Sequence, residues 1–188
     1  MSMQGWVESL AAAPADGAAL TNTITATSLL IATAKPVLPA QYFDRVGKML
    51  RVTAKGRFST VVTTPGTFTF DIRFGSTIVF TGGAMALNTT AQTNATFTFE
   101  VTLVCKTIGS GTVATVLGIG SFVSRAVIGS GAAGATGANE LLLPDTAPVA
   151  GTGFDSTIAQ TVDLFGTWSI ANAANSITVH QLLIESLN

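Results

Sequence analysis

Charged residues are scarce in this 188-residue sequence. Asp, Glu, Lys and Arg make up 10% of the residues, against about 25% in a typical soluble protein. Hydrophobic residues make up 47%, so the chain is too apolar to be intrinsically disordered. A surface with a formal net charge of −1 is poorly soluble when fully exposed. We therefore expect copies of this chain or another protein to cover much of it; the alternative is a monomeric, threonine-rich β-protein.

The small number of charges is also balanced in sign. The sequence contains nine Lys and Arg and ten Asp and Glu. It therefore lacks the excess of positive charge that a nucleic-acid-binding surface needs. The sequence contains no uninterrupted apolar run of the roughly 20 residues that a membrane-spanning helix needs. Residues 1–20 lack a basic segment ahead of an apolar one, so we expect no signal peptide and folding in the cytosol.

Groups that carry chemistry are equally scarce. The single cysteine, Cys105, excludes an intramolecular disulfide and lies in phase with core residues, which predicts an inert buried thiol. His180 is the only histidine, so one chain cannot build a two-histidine metal site; we expect it at a sheet surface or in a subunit contact. Residues 129–134 match the spacing of a dinucleotide fingerprint but lack its strand and helix context. We predict no enzymatic activity, no cofactor and no metal.

The clearest pattern that is present lies in residues 48–80. Even-numbered residues from Leu50 to Phe58 are apolar or glycine, and odd-numbered ones are polar or basic. After the turn at Pro65-Gly66 the alternation resumes, with phenylalanine or isoleucine at positions 68, 70, 72 and 74. This period of two predicts an antiparallel hairpin with one buried and one solvated face, followed by a third strand.

The polar face of that hairpin carries a basic row, Arg51, Lys55 and Arg57. One interpretation is a solvated sheet face. The other is a functional row, either a docking face for an acidic protein surface or a set of cross-strand partners for Asp71 or Glu100. The carboxylates of Asp71, Glu100 and Asp163 fall on the polar sides of their strands, so we expect them to be solvated.

The remaining segments predict more strands and no long helix. Alternation or short apolar runs indicate strands within residues 19–31, 85–87, 96–107, 112–127, 140–143, 161–170 and 176–187. Eight or nine strands separated by turns are typical of an all-β sandwich. We predict an antiparallel β-sandwich of the jelly-roll type. An immunoglobulin-like sandwich is the alternative, although its Cys-Trp-Cys spacing is absent.

The domain division places an N-terminal arm at residues 1–19 and one β-sandwich domain at residues 20–188. The segment is an arm, or a short helix followed by a loop, and carries Trp6, Val7 and Leu10. We expect Trp6 to dock on its own domain or on a neighbouring subunit. The predicted interface residues are Trp6, Val7, Leu10, Arg51, Lys55, Arg57 and His180.

Several segments resemble virion structural proteins of tailed bacteriophages. These are residues 6–10 (WVESL), 15–17 (ADG), 20–23 (LTNT), 28–30 (SLL), 46–54 (VGKMLRVTA), 151–156 (GTGFDS) and 183–188 (LIESLN). The resemblance covers most of the chain and implies a jelly-roll module on the capsid, as cement or decoration, or in the tail. It offers no catalytic residues.

The resemblance implies a non-enzymatic capsid cement protein that bridges capsid subunits. Its partners would be the major capsid protein and copies of itself, and its location the capsid surface of a virion made in the host cytoplasm. One alternative is a tail or fibre module that binds a host receptor. A third hypothesis, an intracellular carbohydrate hydrolase, requires paired carboxylates that the sequence alone does not bring together.

Overall fold

The chain folds as two antiparallel sheets packed face to face, which confirms the predicted jelly-roll type of β-sandwich. The computed structural model describes residues 7–130 and 139–187, without the side chains of residues 128–130. These residues form fourteen strands and one 3₁₀ helix, Ala32–Ala34. No helix among them is long and apolar enough to cross a membrane.

Eight of the strands are at least five residues long, and with the shorter ones the total exceeds the eight or nine that the sequence predicts. They are β1 (Glu8–Ala12), β5 (Met49–Thr60), β6 (Thr67–Phe74), β7 (Thr77–Thr81), β9 (Gln92–Thr107), β10 (Thr115–Val123), β13 (Gln160–Trp168) and β14 (Ser176–Ser186). The six shorter ones are β2 (Leu20–Thr21), β3 (Thr27–Ser28), β4 (Val37–Leu38), β8 (Met85–Leu87), β11 (Val127–Ser130) and β12 (Glu140–Leu143).

Each sheet contains seven strands. The first has the order β1-β14-β5-β9-β10-β12, with β2 also paired to β14. The second has the order β11-β8-β6-β13-β3, with β7 paired to β6 and β4 paired to β13. The longest strands, β5 and β9, lie side by side in the middle of the first sheet, so its outer face is a broad platform.

The core between the sheets is made by the alternating residues of the long strands. The even positions of β5 and β6 and the odd positions of β9 are buried, as their period of two predicts. At the centre, aromatic rings contact one another at centroid distances from 4.7 to 6.4 Å; they belong to Phe58, Phe68, Phe70, Phe97, Phe99, Phe122 and Trp168. Each fully buried phenylalanine contributes about 1.5–3 kcal/mol, so this cluster is a main source of stability.

The predicted hairpin of residues 48–80 is wrong in one respect: β5 and β6 belong to different sheets. The Pro65-Gly66 turn carries the chain across the sandwich. The fully buried Asn175 holds this crossover, because its side-chain oxygen accepts from the Val61 amide at 2.8 Å and its side-chain nitrogen donates to the Pro65 carbonyl at 3.0 Å. A period of two marks one buried face in either arrangement, so it does not distinguish neighbours in a sheet from strands that face each other across the core.

A β-bulge changes which residues of β14 point toward the core. The register against β5 shifts between Val179 and Gln181. An extra residue reverses the alternation that follows it. Leu182 and Ile184 are therefore buried, whereas Leu183, which strict alternation placed inward, is only half-buried.

Three other segments differ from the sequence prediction. Residues 19–31 contain only the short strands β2 and β3, and residues 112–127 divide into β10 and the start of β11. Ile170 continues the alternation of the buried Val162, Leu164 and Trp168, but it is 40% exposed because β13 ends at Trp168. Most of the glycine- and alanine-rich segment 129–139, including the end of the fingerprint-like stretch, lies outside the described residues.

Candidate docking surface

The predicted basic row lies on β5, on the outer face of the first sheet. Arg51 forms an ion pair across the strands, with its Nη2 2.7 Å from Glu185 Oε2 on β14. Lys55 and Arg57 are exposed, and no ion pair within residues 7–130 and 139–187 includes either side chain. Two of the three predicted basic residues thus remain available to a partner.

The expected pairing of this row with Asp71 or Glu100 is wrong. Asp71 lies on β6, which belongs to the other sheet. Glu100 stands directly opposite Thr53 and not opposite a basic residue. The partner that the structure provides for Arg51 is Glu185, which comes from the far end of the sequence.

Two carboxylates that we expected to be solvated are buried on the second sheet. Asp163 accepts a hydrogen bond from Ser28 Oγ at 2.7 Å and forms an ion pair with Lys35 Nζ at 2.7 Å. Asp71 lies 3.3 Å from Arg73 Nη2. Asp163 and Asp71 are 8% and 7% exposed. Each is already neutralised by a cation, so the two are not arranged as the free acid and base that glycoside hydrolysis requires.

The segment before the sandwich adds a strand to the edge of the first sheet. β1 pairs with β14, and the partly buried Leu10 packs against the core. Val7 is exposed, and Trp6 lies outside the described residues. His180, within the β14 bulge, places its Nδ1 2.9 Å from Asp16 Oδ1. The arm and His180 therefore meet on β14, next to β5.

The outer face of the first sheet has a feature that sequence reasoning missed. We call it the aliphatic patch: Val104 on β9, Leu117, Ile119 and Val123 on β10, and Leu142 on β12. Leu142 is 72%, Ile119 53% and Val123 40% exposed, while Val104 and Leu117 are half-buried. Exposed aliphatic side chains grouped on one sheet face indicate an interaction surface.

A signal for the patch is present in the sequence. In β10 the aliphatic residues alternate with Gly118 and Gly120, so the larger side chains point outward. Gly118 faces the Phe80 ring and Gly120 faces the backbone of β9 at Glu100, and a Cβ at either position would overlap these atoms. These close approaches leave no room for a side chain on the inner side at positions 118 and 120, so only Val116 and Phe122 of β10 reach the core. Leu117, Ile119 and Val123 lie on the outer side.

Most charged residues of this face lie on β14 and β5, and most aliphatic residues lie on β10 and β12. The register aligns rows of residues that cross the sheet from β14 to β10 or β12. One row consists of Glu185, Arg51, Thr102 and Ile119; the next consists of Leu183, Thr53, Glu100, Ser121 and Leu142; the third consists of Gln181, Lys55, Thr98, Val123 and Glu140. In these rows Glu100, Glu140 and Leu183 are the exceptions to this division. Thr102 and Thr98 of β9 separate Arg51 and Lys55 from the patch in the first and third rows.

A depression of about 430 Å³ adjoins the patch at Val123. Polar residues form most of its lining, among them Asn94, Thr96, Arg125 and Asn139. Within residues 7–130 and 139–187, no group of three or more His, Cys, Asp or Glu could hold a metal ion. The depression therefore extends the outer face with neutral polar groups and one cation.

Two titratable groups with a shifted pKa, Cys105 and Asp155, lie outside the outer face of the first sheet. Burial raises the pKa of the Cys105 thiol, and the charge of Asp44 adds to this effect. The thiol is fully buried in the core, as predicted. Hydrogen bonds from the Thr157 hydroxyl and from the Gly111 and Thr157 amides lower the pKa of Asp155. The same bonds join the segment at Gly111 to the segment at Thr157.

No protein-family model and no curated protein matches this sequence. Among solved structures, the chain is similar to the CBM2 module of the evolved Dit of Lactobacillus casei BL23 phage J-1, with 9% identity and a TM-score of 0.38 over 99% of this chain and 98% of the module. It is also similar to β-fructofuranosidase from Schwanniomyces occidentalis, with 9% identity and a TM-score of 0.31 over 97% of this chain but 34% of the enzyme. Both TM-scores are low, so the fold rests on the strand pairing described above.

Proposed function

We propose that this chain is a non-enzymatic structural protein of a tailed-bacteriophage virion that assembles through the outer face of its first sheet. The observation that carries the proposal is the aliphatic patch on a protein with very few charges. Burial of apolar surface contributes about 25 cal/mol per Å², so covering Ile119 and Leu142 favours association. The threonine rows beside the patch add neutral polar surface that is inexpensive to desolvate compared with charges.

The chemistry of the face suits a protein partner better than a sugar. Every large hydrophobic residue exposed in the described part of the chain is Val, Ile or Leu. Tyr42 and Phe165 are half-buried, and the Phe165 ring lies under the Arg73 guanidinium at 3.9 Å. Sugar rings are usually held against open aromatic faces, whereas flat aliphatic and threonine surfaces suit another sheet or a helix.

Two positions in a virion are consistent with this proposal. A capsid cement protein would use the face to bridge copies of the major capsid protein, and many copies would supply avidity. A tail or fibre module would use it to hold a neighbouring tail protein, with the loops at the ends of the sandwich free for a host receptor. The sequence resemblance to phage virion proteins supports both.

A binding experiment tests the role of the face. Phage particles assembled without this protein are mixed with the purified chain, with Leu142→Asp and with the control Val37→Asp, whose parent residue is 63% exposed on the second sheet. We expect wild type and the control to sediment with the particles, and Leu142→Asp to bind at least about tenfold more weakly because a carboxylate must be desolvated. Equal binding by all three proteins would contradict the proposal.

A further inference from the structure

We propose that the outer face of the first sheet pairs with the same face of a second copy, about a two-fold axis that runs along the strands between β9 and β10. This inference rests on the proposed function and names one occupant of the aliphatic patch. A two-fold contact requires a surface that is complementary to itself. The strand register allows this requirement to be checked residue by residue.

The symmetry decides which strands meet. Two sheets can face each other only if the two-fold axis lies in the plane between them. With the axis along the strands, β9 lies opposite β10 of the second copy and β5 lies opposite its β12. Packed sheets cross at about 30°, so residues near the axis match best and those further away are displaced by about one residue.

The residues nearest the axis are complementary in polarity. Each row places one β9 residue beside one β10 residue, so a residue of β9 meets the β10 residue of the same row in the second copy. Val104 meets Leu117, and Thr102 and Thr98 bring their methyl groups to Ile119 and Val123. The exposed aliphatic side chains of one copy are thus covered by apolar atoms of the other.

The charges further from the axis are complementary in sign. Lys55 on β5 and Glu140 on β12 lie in one row, three strands apart. The symmetry places Lys55 of one copy opposite Glu140 of the other, and this contact occurs twice in the dimer. Both side chains are exposed, and no ion pair within residues 7–130 and 139–187 includes either one. Glu100 meets Ser121, so like charges are not brought together near the axis.

The size of the face limits the strength of the contact. Nine-residue lengths of β5, β9 and β10 and the four residues of β12, with strands about 4.8 Å apart and about 3.3 Å per residue, cover roughly 490 Å² of each copy. Two such faces bury about 1,000 Å², near the lower limit for a specific interface. We expect a weak, reversible dimer, with a dissociation constant in the range of about 1–100 µM.

Charge reversal provides the decisive test. The dissociation constant of the full chain is measured by sedimentation equilibrium for wild type, Lys55→Glu, Glu140→Lys and the double variant. We expect each single reversal to weaken the dimer at least about tenfold, and the double variant to recover to within about threefold of wild type, because the pair is restored in the opposite sense. Arg45→Glu, a reversal of an exposed charge outside the four paired strands, is the control and should change the constant less than about threefold.

Each result has one meaning. Restoration in the double variant supports the two-fold pairing. A wild-type chain that stays monomeric at about 100 µM, or single reversals that leave the dimer intact, overturns it. So does a double variant as weak as the singles. The proposed virion role is tested separately, since particle binding that depends on Leu142 in a monomeric chain would show that another virion protein occupies the patch.

Discussion

Glu185 Oε2 accepts from both Arg51 Nε, at 2.9 Å, and Arg51 Nη2, at 2.7 Å. This forked contact joins β14 to β5 on the outer face of the first sheet and aligns with Ile119 in the same row. It neutralises the first member of the basic row, so only Lys55 and Arg57 present unpaired charge from β5 to a partner. The face is consequently less basic than its sequence indicates.

Arg51→Ala tests the strength of this contact. The Arg51 side chain is 34% exposed and that of Glu185 is 13% exposed, so solvent screening limits the contribution to about 1 kcal/mol. We expect the free energy of unfolding to fall by that amount in a urea titration, with a similar coupling in a double-mutant cycle with Glu185→Ala. Arg57→Ala, the control, should be neutral. A coupling of zero would show that the contact contributes nothing to stability.

Asp163→Ala tests the charged cluster of the second sheet. The substitution removes the partners of Ser28 and Lys35, which tie residues 28–35 to β13. We expect a loss of about 2 kcal/mol, because the partly buried Ser28 hydroxyl loses its shorter hydrogen bond and the partly buried Lys35 ammonium loses its counter-charge. Glu100→Ala, at an exposed carboxylate, is the comparison and should stay within about 0.5 kcal/mol of wild type. Equal effects of the two would show that Asp163 has no structural role.

Gly56→Ala tests the bulge that redirects β14. A Cβ at Gly56 would overlap the Thr178 carbonyl and crowd the Phe97 ring, so we expect a loss of about 2–3 kcal/mol measured by chemical unfolding. Gly75→Ala is the comparison, because a side chain there causes backbone strain without any overlap. Gly75 has a φ of 58° and open space around it, so its substitution should cost only about 1 kcal/mol. The packing argument fails if Gly56→Ala is the milder change.

Cys105 gives a pH-dependent prediction. Because burial raises its pKa above the ordinary value of 9.0, the unfolded thiol ionises first as the pH rises. The unfolded state then binds fewer protons than the native one, so stability is fully present below pH 9.0 and declines above it. We expect wild type to lose stability more steeply with pH than Cys105→Ala in this range. Identical pH slopes of stability for the two proteins would contradict the assignment of this loss to the Cys105 thiol.

Deleting residues 1–17 tests the role of β1 as an edge strand. The deletion removes the pairing with β14, the bond from the Gly17 amide to the Val179 carbonyl at 2.8 Å, and the Asp16–His180 contact. It leaves one edge of β14 largely open, and open edges promote aggregation. We expect a lower melting temperature, by at least about 4 °C, and increased light scattering. An unchanged melting temperature and a clear solution would show that the arm is dispensable for folding.

Alternation along single strands was enough to predict the fold class and most of the core. Phe68, Phe70, Phe97 and Phe99 are buried where the period of two places them. The division of β5 and β6 between two sheets could not be predicted, because it depends on Asn175, more than a hundred residues away, holding the turn at Pro65.

The candidate surface was predicted only in part. Arg51, Lys55 and Arg57 were placed on the correct face, but the choice of Glu185 as partner depends on the register of β14, which no local pattern encodes. Leu142 lies on a four-residue strand that is too short to show a period. Its importance appears only when β12 is seen beside β10.

A mass-spectrometric inventory of purified virions, with copy numbers, tests the proposed function most directly. We predict that the chain is a stoichiometric component of the particle: on the order of hundreds of copies would place it on the capsid, and roughly a few to a few dozen in the tail. Absence of the chain from intact, purified virions would contradict its role as a virion structural protein.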